Sequence, residues 1–179
     1  MACSRARMRR GQSLVEFALS VSTLLLLLGA VFDLGSLLND HLSVVSASHQ
    51  AALAAAVAGT SAQADCNALA AVSLATQNAL GLTVTRVVIY EAGSDGLPLG
   101  GAGSVSYADV YLGNPGCPNA ASPPIAQPAN WPPTLRSAAY PNANSLGVEV
   151  DYTYTWQMTL IAVGTLSVTD HTVMPITPG

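Results

Sequence analysis

The sequence predicts an α+β fold in which a single N-terminal transmembrane helix extends into an outer helical region, followed by a small antiparallel sheet. Three observations predict this class. Residues 17–32 carry no charge and are rich in leucine, and β-branched residues become frequent after Gly81. Residues 147–156 (GVEVDYTYTW) alternate apolar and polar side chains, which is typical of a strand with one buried and one solvated face.

The basic residues lie almost entirely before the apolar segment. The chain has no lysine, and four of its six arginines lie within residues 5–10. Because positive charge stays on the cytoplasmic side, residues 1–11 are predicted to be a cytoplasmic leader, with the bulk of the chain outside. Beyond residue 10 the chain has two arginines and ten acidic residues. It therefore has no basic surface that could neutralise phosphates, which excludes nucleic-acid binding.

The apolar segment is long enough for a membrane span. It continues past Asp33 as LGSLL, so residues 12–38 supply more than the roughly 20 residues that a bilayer core requires. The alternative is a cleaved secretory signal peptide, which has the same basic start and leucine run. We favour a retained helix because no small-residue cleavage site follows closely and the helical pattern continues.

The helical pattern extends through residues 39–81, which hold a helical extension and a second helix. Gly59 is predicted to end the first helix. Thr60 and Gln63 have the spacing of a capping box, which predicts a second helix over residues 61–80 that ends at Gly81.

Residues 82–179 are predicted to form an outer β-rich domain. Its strands are expected at residues 82–90, 105–112, 147–156 and 164–174, with an apolar bend (MTLIAV) at residues 158–163. Eight prolines discourage regular structure in residues 113–145 and predict an exposed loop. Trp131 and Tyr140 in this loop either hold it to the body of the domain or form a surface for a partner.

The three cysteines leave one plausible pair. Cys3 lies in the leader, whereas Cys66 and Cys117 lie in the outer part, where disulfides persist. They are therefore expected to form a disulfide, with two buried free thiols as the alternative.

No pattern of residues indicates catalysis, a metal or a cofactor. His41 and His49 are eight residues apart rather than four, and His171 follows Asp170 on a strand whose neighbouring side chains point to opposite faces. The chain contains no nucleophile elbow and no phosphate-binding loop. We therefore expect a protein that is not an enzyme and that has no cofactor.

The segment RRGQSLVEFAL, residues 9–19, carries the most specific signal. Glu16 stands at the leading edge of the apolar helix, where an acid is favoured by the helix dipole. Its position five residues after Gly11 and just before Phe17 resembles the prepilin-peptidase site of type IV pilins. With the leucine run and Asp33-Leu34-Gly35, it resembles more closely the TadE-like family of minor pilins and pseudopilins of the tight-adherence (Flp) pilus.

The resemblance implies a structural role in assembly of that pilus, as a minor pilin or pseudopilin. It implies that a prepilin peptidase cuts between Gly11 and Gln12. Glu16 would then attract the N-terminal amine of a neighbouring subunit, and Asp33 would be a second polar assembly site in the helix.

The implied partners are other pilins or pseudopilins, the pilus assembly machinery, the peptidase and the membrane. The implied location is the inner membrane, with a single span and the C-terminal domain outside. The alternative function is a secreted or membrane-anchored binding domain with an ordinary signal sequence.

Overall fold

The computed structural model describes residues 4–117, 124–157 and 164–177, with side chains from Gln12 onwards. The predicted bend at residues 158–163 lies outside these ranges. Within them the chain forms two helices and one antiparallel sheet, which confirms the predicted α+β class. The elements are α1 (Ser4–Ala58), α2 (Ala64–Thr76), β1 (Leu82–Ala92), β2 (Ala108–Leu112), β3 (Ser145–Thr155) and β4 (Thr165–Pro175).

Helix α1 is one uninterrupted helix of 55 residues. At 1.5 Å per residue it is about 80 Å long, more than twice the thickness of a bilayer core. It ends where the sequence predicts, because Gly59 adopts a positive φ of 57° and its N–H bonds to the carbonyl of Ala55 at 2.9 Å. The C-terminal half of α1 packs on α2 and on the sheet.

Helix α2 begins and ends differently from the prediction. The capping box does not form: Gln63 is itself the N-cap residue and makes no side-chain capping bond. The hydroxyl oxygen of Ser61 instead accepts the N–H of Gln63 at 3.3 Å, within a tight turn after Gly59. The helix stops at Thr76, four residues earlier than predicted.

The four strands form one sheet of order β2-β1-β3-β4, and each neighbouring pair is antiparallel. The alternation in β3 is confirmed, since its apolar residues are buried against the helices. Trp156 lies just beyond the strand and is half-buried. Strand β2 begins at Ala108, three residues later than predicted. On the opposite face, Arg86 pairs with Glu149 at 3.1 Å and with Asp151 at 2.5 Å.

The main core lies between the sheet and the two helices. Small side chains on α1 and α2 allow the helices to approach each other closely, and the valines of the sheet fill the remaining space. Fully buried members are Val44, Ala51, Ala52, Ala55, Ala68, Val72, Val87, Ile89, Leu146, Val148 and Val150.

The proline-rich loop is attached to the edge of the sheet. The N–H of Val110 in β2 donates to the carbonyl of Pro128 at 2.9 Å, and the N–H of Gln127 donates to the carbonyl of Val110 at 2.7 Å. The loop therefore covers an edge that would otherwise be open to pairing. Of its two aromatic residues, Trp131 is buried and anchors the loop, whereas Tyr140 is 96% exposed.

A buried ionic cluster fixes the end of this loop. The guanidinium of Arg136 lies 2.5 Å from Asp65 on α2 and 3.7 Å from Asp109 on β2, and it stacks 4.6 Å from the Trp131 ring centroid. The hydroxyl of Tyr111 donates to Asp65 at 2.9 Å. The sequence analysis did not single out Arg136, although it is one of only two arginines beyond the leader.

The predicted cysteine pair lies beside this cluster. Cys66 and Cys117 are at disulfide-bonding distance, with their Cα atoms 5.2 Å apart and their positions separated by 51 in the sequence. This geometry favours a disulfide over two free thiols. A bond closing a loop of that length destabilises the unfolded chain by about 4 kcal/mol.

The buried carboxylate of Asp109 in this cluster makes the free energy of unfolding depend on pH. Burial and the neighbouring Asp65 raise the pKa of Asp109 to about 6, above the roughly 3.9 of an unfolded chain. The folded state therefore binds the extra proton between pH 4 and 6, and stability falls as pH rises through that window. We expect unfolding in urea, followed by tryptophan fluorescence in detergent, to show about 1 kcal/mol more stability at pH 5 than at pH 7.

Substitution Asp109→Asn should remove this pH-dependent part of the free energy of unfolding, because an amide does not titrate. Asp95→Asn, at an exposed loop position, is the matched control and should keep the wild-type pH profile. Identical profiles for Asp109→Asn and the wild type would show that Asp109 does not bind the proton.

Candidate functional site: the exposed half of α1 and its junction with the outer domain

The N-terminal part of α1 projects beyond the outer domain. From Gln12 to Leu28 every residue except the half-buried Val21 is exposed, including the run of five leucines. We call this segment of about 25 Å the stub. Helix α1 is long and apolar enough to cross a membrane. Leucine side chains exposed over such a length are stable only when lipid or other helices cover them.

The hydroxyl groups of the stub are compatible with an apolar environment. Ser20 donates to the carbonyl of Glu16 at 2.8 Å, Ser22 to that of Ala18 at 2.8 Å, and Thr23 to that of Leu19 at 3.0 Å. Each hydroxyl is therefore satisfied within the helix itself, which lowers the cost of moving it into lipid.

The predicted processing residues lie at the start of the stub. Gly11 and Gln12 lie within the continuous helix. The side-chain amide of Gln12 donates to a carboxylate oxygen of Glu16 at 3.1 Å, one helical turn away. Glu16 and Phe17 are both exposed. The carboxylate of Glu16 is therefore accessible to another molecule.

Asp33 has a different environment. It is 1% exposed and lies against the outer domain, where the hydroxyl of Tyr154 donates to its backbone carbonyl at 3.4 Å. Glu16 lies 17 residues earlier on the same helix, about 26 Å away. The structure therefore does not bring the two predicted assembly residues together, and Asp33 faces its own chain.

On the C-terminal side of Asp33, polar contacts of Asp40, His41 and Ser48 join α1 to the outer domain; we call these contacts the polar seam. A carboxylate oxygen of Asp40 accepts the N–H of Gly81 at 3.0 Å, and Nδ1 of His41 lies 2.8 Å from the hydroxyl of Tyr152. The hydroxyl of Ser48, which is completely buried, donates to Asp170 at 2.5 Å.

The sequence analysis missed the polar seam. The sequence pattern that could have revealed the seam is a pair of polar residues seven positions apart, as in Asp33 and Asp40 or His41 and Ser48. Seven residues are about two helical turns, so both members of each pair lie on one side of the helix. These contacts fix the register of α1 along the sheet, so that the stub and the outer domain are rigidly connected.

The seam predicts a stability effect at Ser48. Substitution Ser48→Ala leaves the Asp170 carboxylate without its buried donor, so we expect a loss of about 1–3 kcal/mol in the free energy of unfolding. Urea denaturation at neutral pH in detergent measures it. Ser46→Ala, on the exposed side of the same helix, should change stability by less than about 0.5 kcal/mol. Equal stability of the two variants would contradict a structural role for the seam.

No arrangement of metal ligands is present in the part of the chain that the structure describes: it holds no group of three or more His, Cys, Asp or Glu side chains. His41 contacts Tyr152, His49 is exposed, and His171 lies opposite Glu149 in the sheet. The stub is the exposed surface that points to function, and the junction connects it to the outer domain through contacts within the chain.

The family model described as TadE-like protein matches residues 11–53. This range begins at the predicted processing site, includes the whole stub and ends within the part of α1 that packs on the sheet. Searches of curated proteins and of solved structures give no match. The match confirms the resemblance seen in the sequence over residues 11–53, where the chain is similar to TadE-like proteins, and it suggests involvement with Tad pilus systems.

Proposed function

We propose that this protein is a structural, non-enzymatic component of a tight-adherence (Flp) pilus system, acting as a minor pilin or pseudopilin. The observation that carries the proposal is the stub, an exposed apolar helix with an accessible acid at its start. It lies within the TadE-like match and is rigidly continuous with a folded outer domain. Such a segment serves first as a membrane anchor and then as a packing surface for other subunits.

In the proposed topology, α1 crosses the inner membrane and the arginine-rich leader stays in the cytoplasm. The length and exposure of the stub support a single span. The cysteine pair at disulfide distance supports an oxidising environment for the outer domain, because disulfides are rare in the cytosol.

Glu16 has a different role in each state. While lipid surrounds the stub, Glu16 lies near the membrane boundary and shares a hydrogen bond with Gln12. When neighbouring helices replace the lipid, the carboxylate loses water, and a buried unpaired charge is strongly destabilising. A cationic group from another subunit would neutralise this buried charge. Cleavage between Gly11 and Gln12 by a prepilin peptidase would create such a partner, the amine of a mature N-terminus.

The alternative, a secreted binding domain with an ordinary signal sequence, requires a cut after the leucine run. The structure offers it less support, because α1 passes without interruption from the stub into the core. Asp33 and the residues that follow at helical spacing are already buried by the sheet. A cut beyond Asp33 would therefore remove part of the folded domain.

The first prediction of the proposed function concerns the mature N-terminus. We expect the intact mass and N-terminal sequence of the protein from its native membrane to begin at Gln12. A start at Met1 would mean an unprocessed anchor, and the assembly role of Glu16 through a neighbour's amine would fail. A start beyond Asp33 would contradict the proposed function and support the secreted domain.

The second prediction separates anchoring from assembly. Glu16→Gln keeps the size of the side chain and its hydrogen bond but removes the charge. We expect unchanged retention in carbonate-washed membranes and a several-fold loss from sheared pilus fractions, because the neighbouring amine loses its counter-charge. Val15→Ala, an exposed change next to it, is the control and should be incorporated nearly normally. Equal recovery of Glu16→Gln and wild type in the pilus fraction would count against the proposal.

A further inference from the structure

The end of the outer domain nearest the stub has an apolar surface, which we call the base. It consists of Leu80, between α2 and β1, Trp156, just after β3, and the adjoining α1 residues Val31 and Phe32. Leu80 is 73% exposed and lines a shallow groove of about 300 Å³ together with Val31 and Phe32. Val31 and Phe32 are 70% and 53% exposed, so the three side chains form a contiguous apolar patch, and such patches mark surfaces that contact a membrane or another protein.

The base is held firmly in place. The side-chain amide of Gln157 donates to the carbonyl of Leu80 at 3.2 Å, and the N–H of Thr155 donates to the carbonyl of Gly81 at 2.8 Å. A side chain at Gly81 would collide with the ring of Tyr154 at 2.6 Å, so the turn fits tightly against β3. Leu80 is thus presented by an ordered turn.

The position of Trp156 is fixed relative to α1. Its ring packs edge-on against the ring of Tyr154, with centroids 5.6 Å apart. The hydroxyl of Tyr154 reaches the backbone carbonyl of Asp33. Trp156 therefore lies close to the level of Asp33 along the helix axis.

That level coincides with the edge of a bilayer. A hydrocarbon core takes about 20 helical residues, and a count that starts at Leu14 ends at Asp33. Tryptophan favours the boundary between hydrocarbon and headgroups, because its ring is apolar and its N–H needs a polar partner. The span and the base are continuous in the structure, so the membrane that surrounds the stub also reaches the base.

Charge does not explain contact with lipid here. Beyond the leader the only cations besides histidine are Arg86 and Arg136, and both are engaged in ion pairs within the outer domain. Attraction to anionic headgroups is therefore weak, and any contact depends on the apolar and aromatic side chains.

We propose that the base rests on the outer face of the bilayer, with Leu80 and Trp156 inserted at the boundary between headgroups and acyl chains. The inference relies on the membrane anchoring in the proposed function but not on pilus assembly. It predicts contact that is insensitive to the content of anionic lipid and to salt.

The two tryptophans allow a direct test in the full chain. The protein is reconstituted at low protein-to-lipid ratio in phosphatidylcholine vesicles that contain lipids brominated near the headgroup. Trp131 is 2% exposed and joins the sheet near Val148, eight residues or about 26 Å along β3 from Trp156. The Trp156→Phe variant retains only Trp131, so its difference from wild type isolates the quenching of Trp156.

We expect brominated lipid to quench wild type several-fold more than Trp156→Phe, equally with and without anionic lipid. Leu80→Gln should reduce the quenching of Trp156 because it weakens insertion of the base. Leu74→Gln is the matched control, since this leucine is 69% exposed on α2 and lies outside the base. It should leave the quenching unchanged.

Three outcomes would overturn the inference. The first is equal quenching of wild type and Trp156→Phe while both proteins resist extraction by carbonate. This result would leave the anchoring itself intact. The second is emission of Trp156 that changes with protein density and not with brominated lipid, which would assign the base to a second copy of the chain. The third is extraction of the protein by carbonate, in which case the proposed anchoring fails as well.

Discussion

The contact between the second half of α1 and the sheet is the interaction on which the rest of the structure depends. The buried alanines and valine of α1 form one side of the main core, and the valines of β1 and β3 form the other. Without this helix, one face of the sheet would expose a continuous apolar surface to water. The outer domain and the apolar stub therefore share a single element, and the domain is built around the C-terminal half of the helix that carries the stub.

The other side of the domain depends on the attachment of the proline-rich loop. Its strand-like contacts with β2 cover one edge of the sheet, and the Arg136 cluster and the cysteine pair connect it to α2 and β2. A segment with so many prolines forms few backbone hydrogen bonds of its own. Its described residues are held by long-range contacts that a buried cation and two cysteines provide.

The sequence predicted the local features well and the long-range polar contacts poorly. The alternation in β3, the leucine run and Gly59 each depend on neighbouring residues, so their effects can be read from a short window. The buried partners of Arg136 come from residues 71 and 27 positions earlier, and no periodicity links them. The capping box failed for a related reason, because the turn after Gly59 placed Ser61, rather than Thr60, beside the free N–H groups.

The predicted site residues also divide into those that a short motif reveals and those whose surroundings depend on distant residues. Glu16 and Phe17 were found through a short motif, and the structure places them on an accessible surface. Asp33 belongs to the same motif-based resemblance, but its burial by Tyr154 depends on a residue 121 positions away. The polar seam likewise joins α1 to residues 41 to 122 positions later, so only the helical half of its pattern was visible in the sequence.

The absence of a break in α1 between Gln12 and Ala58 has a mechanical consequence. A force applied to the stub along the helix axis meets no hinge within α1. It passes directly to the contact between α1 and the sheet, which extends over about 34 Å from Asp33 to Ala56. Because α1 lies along the strands, the load is applied in shear, and many contacts must break together before the helix slides. A pull on the stub is thus transmitted along α1 to the domain that is packed around it.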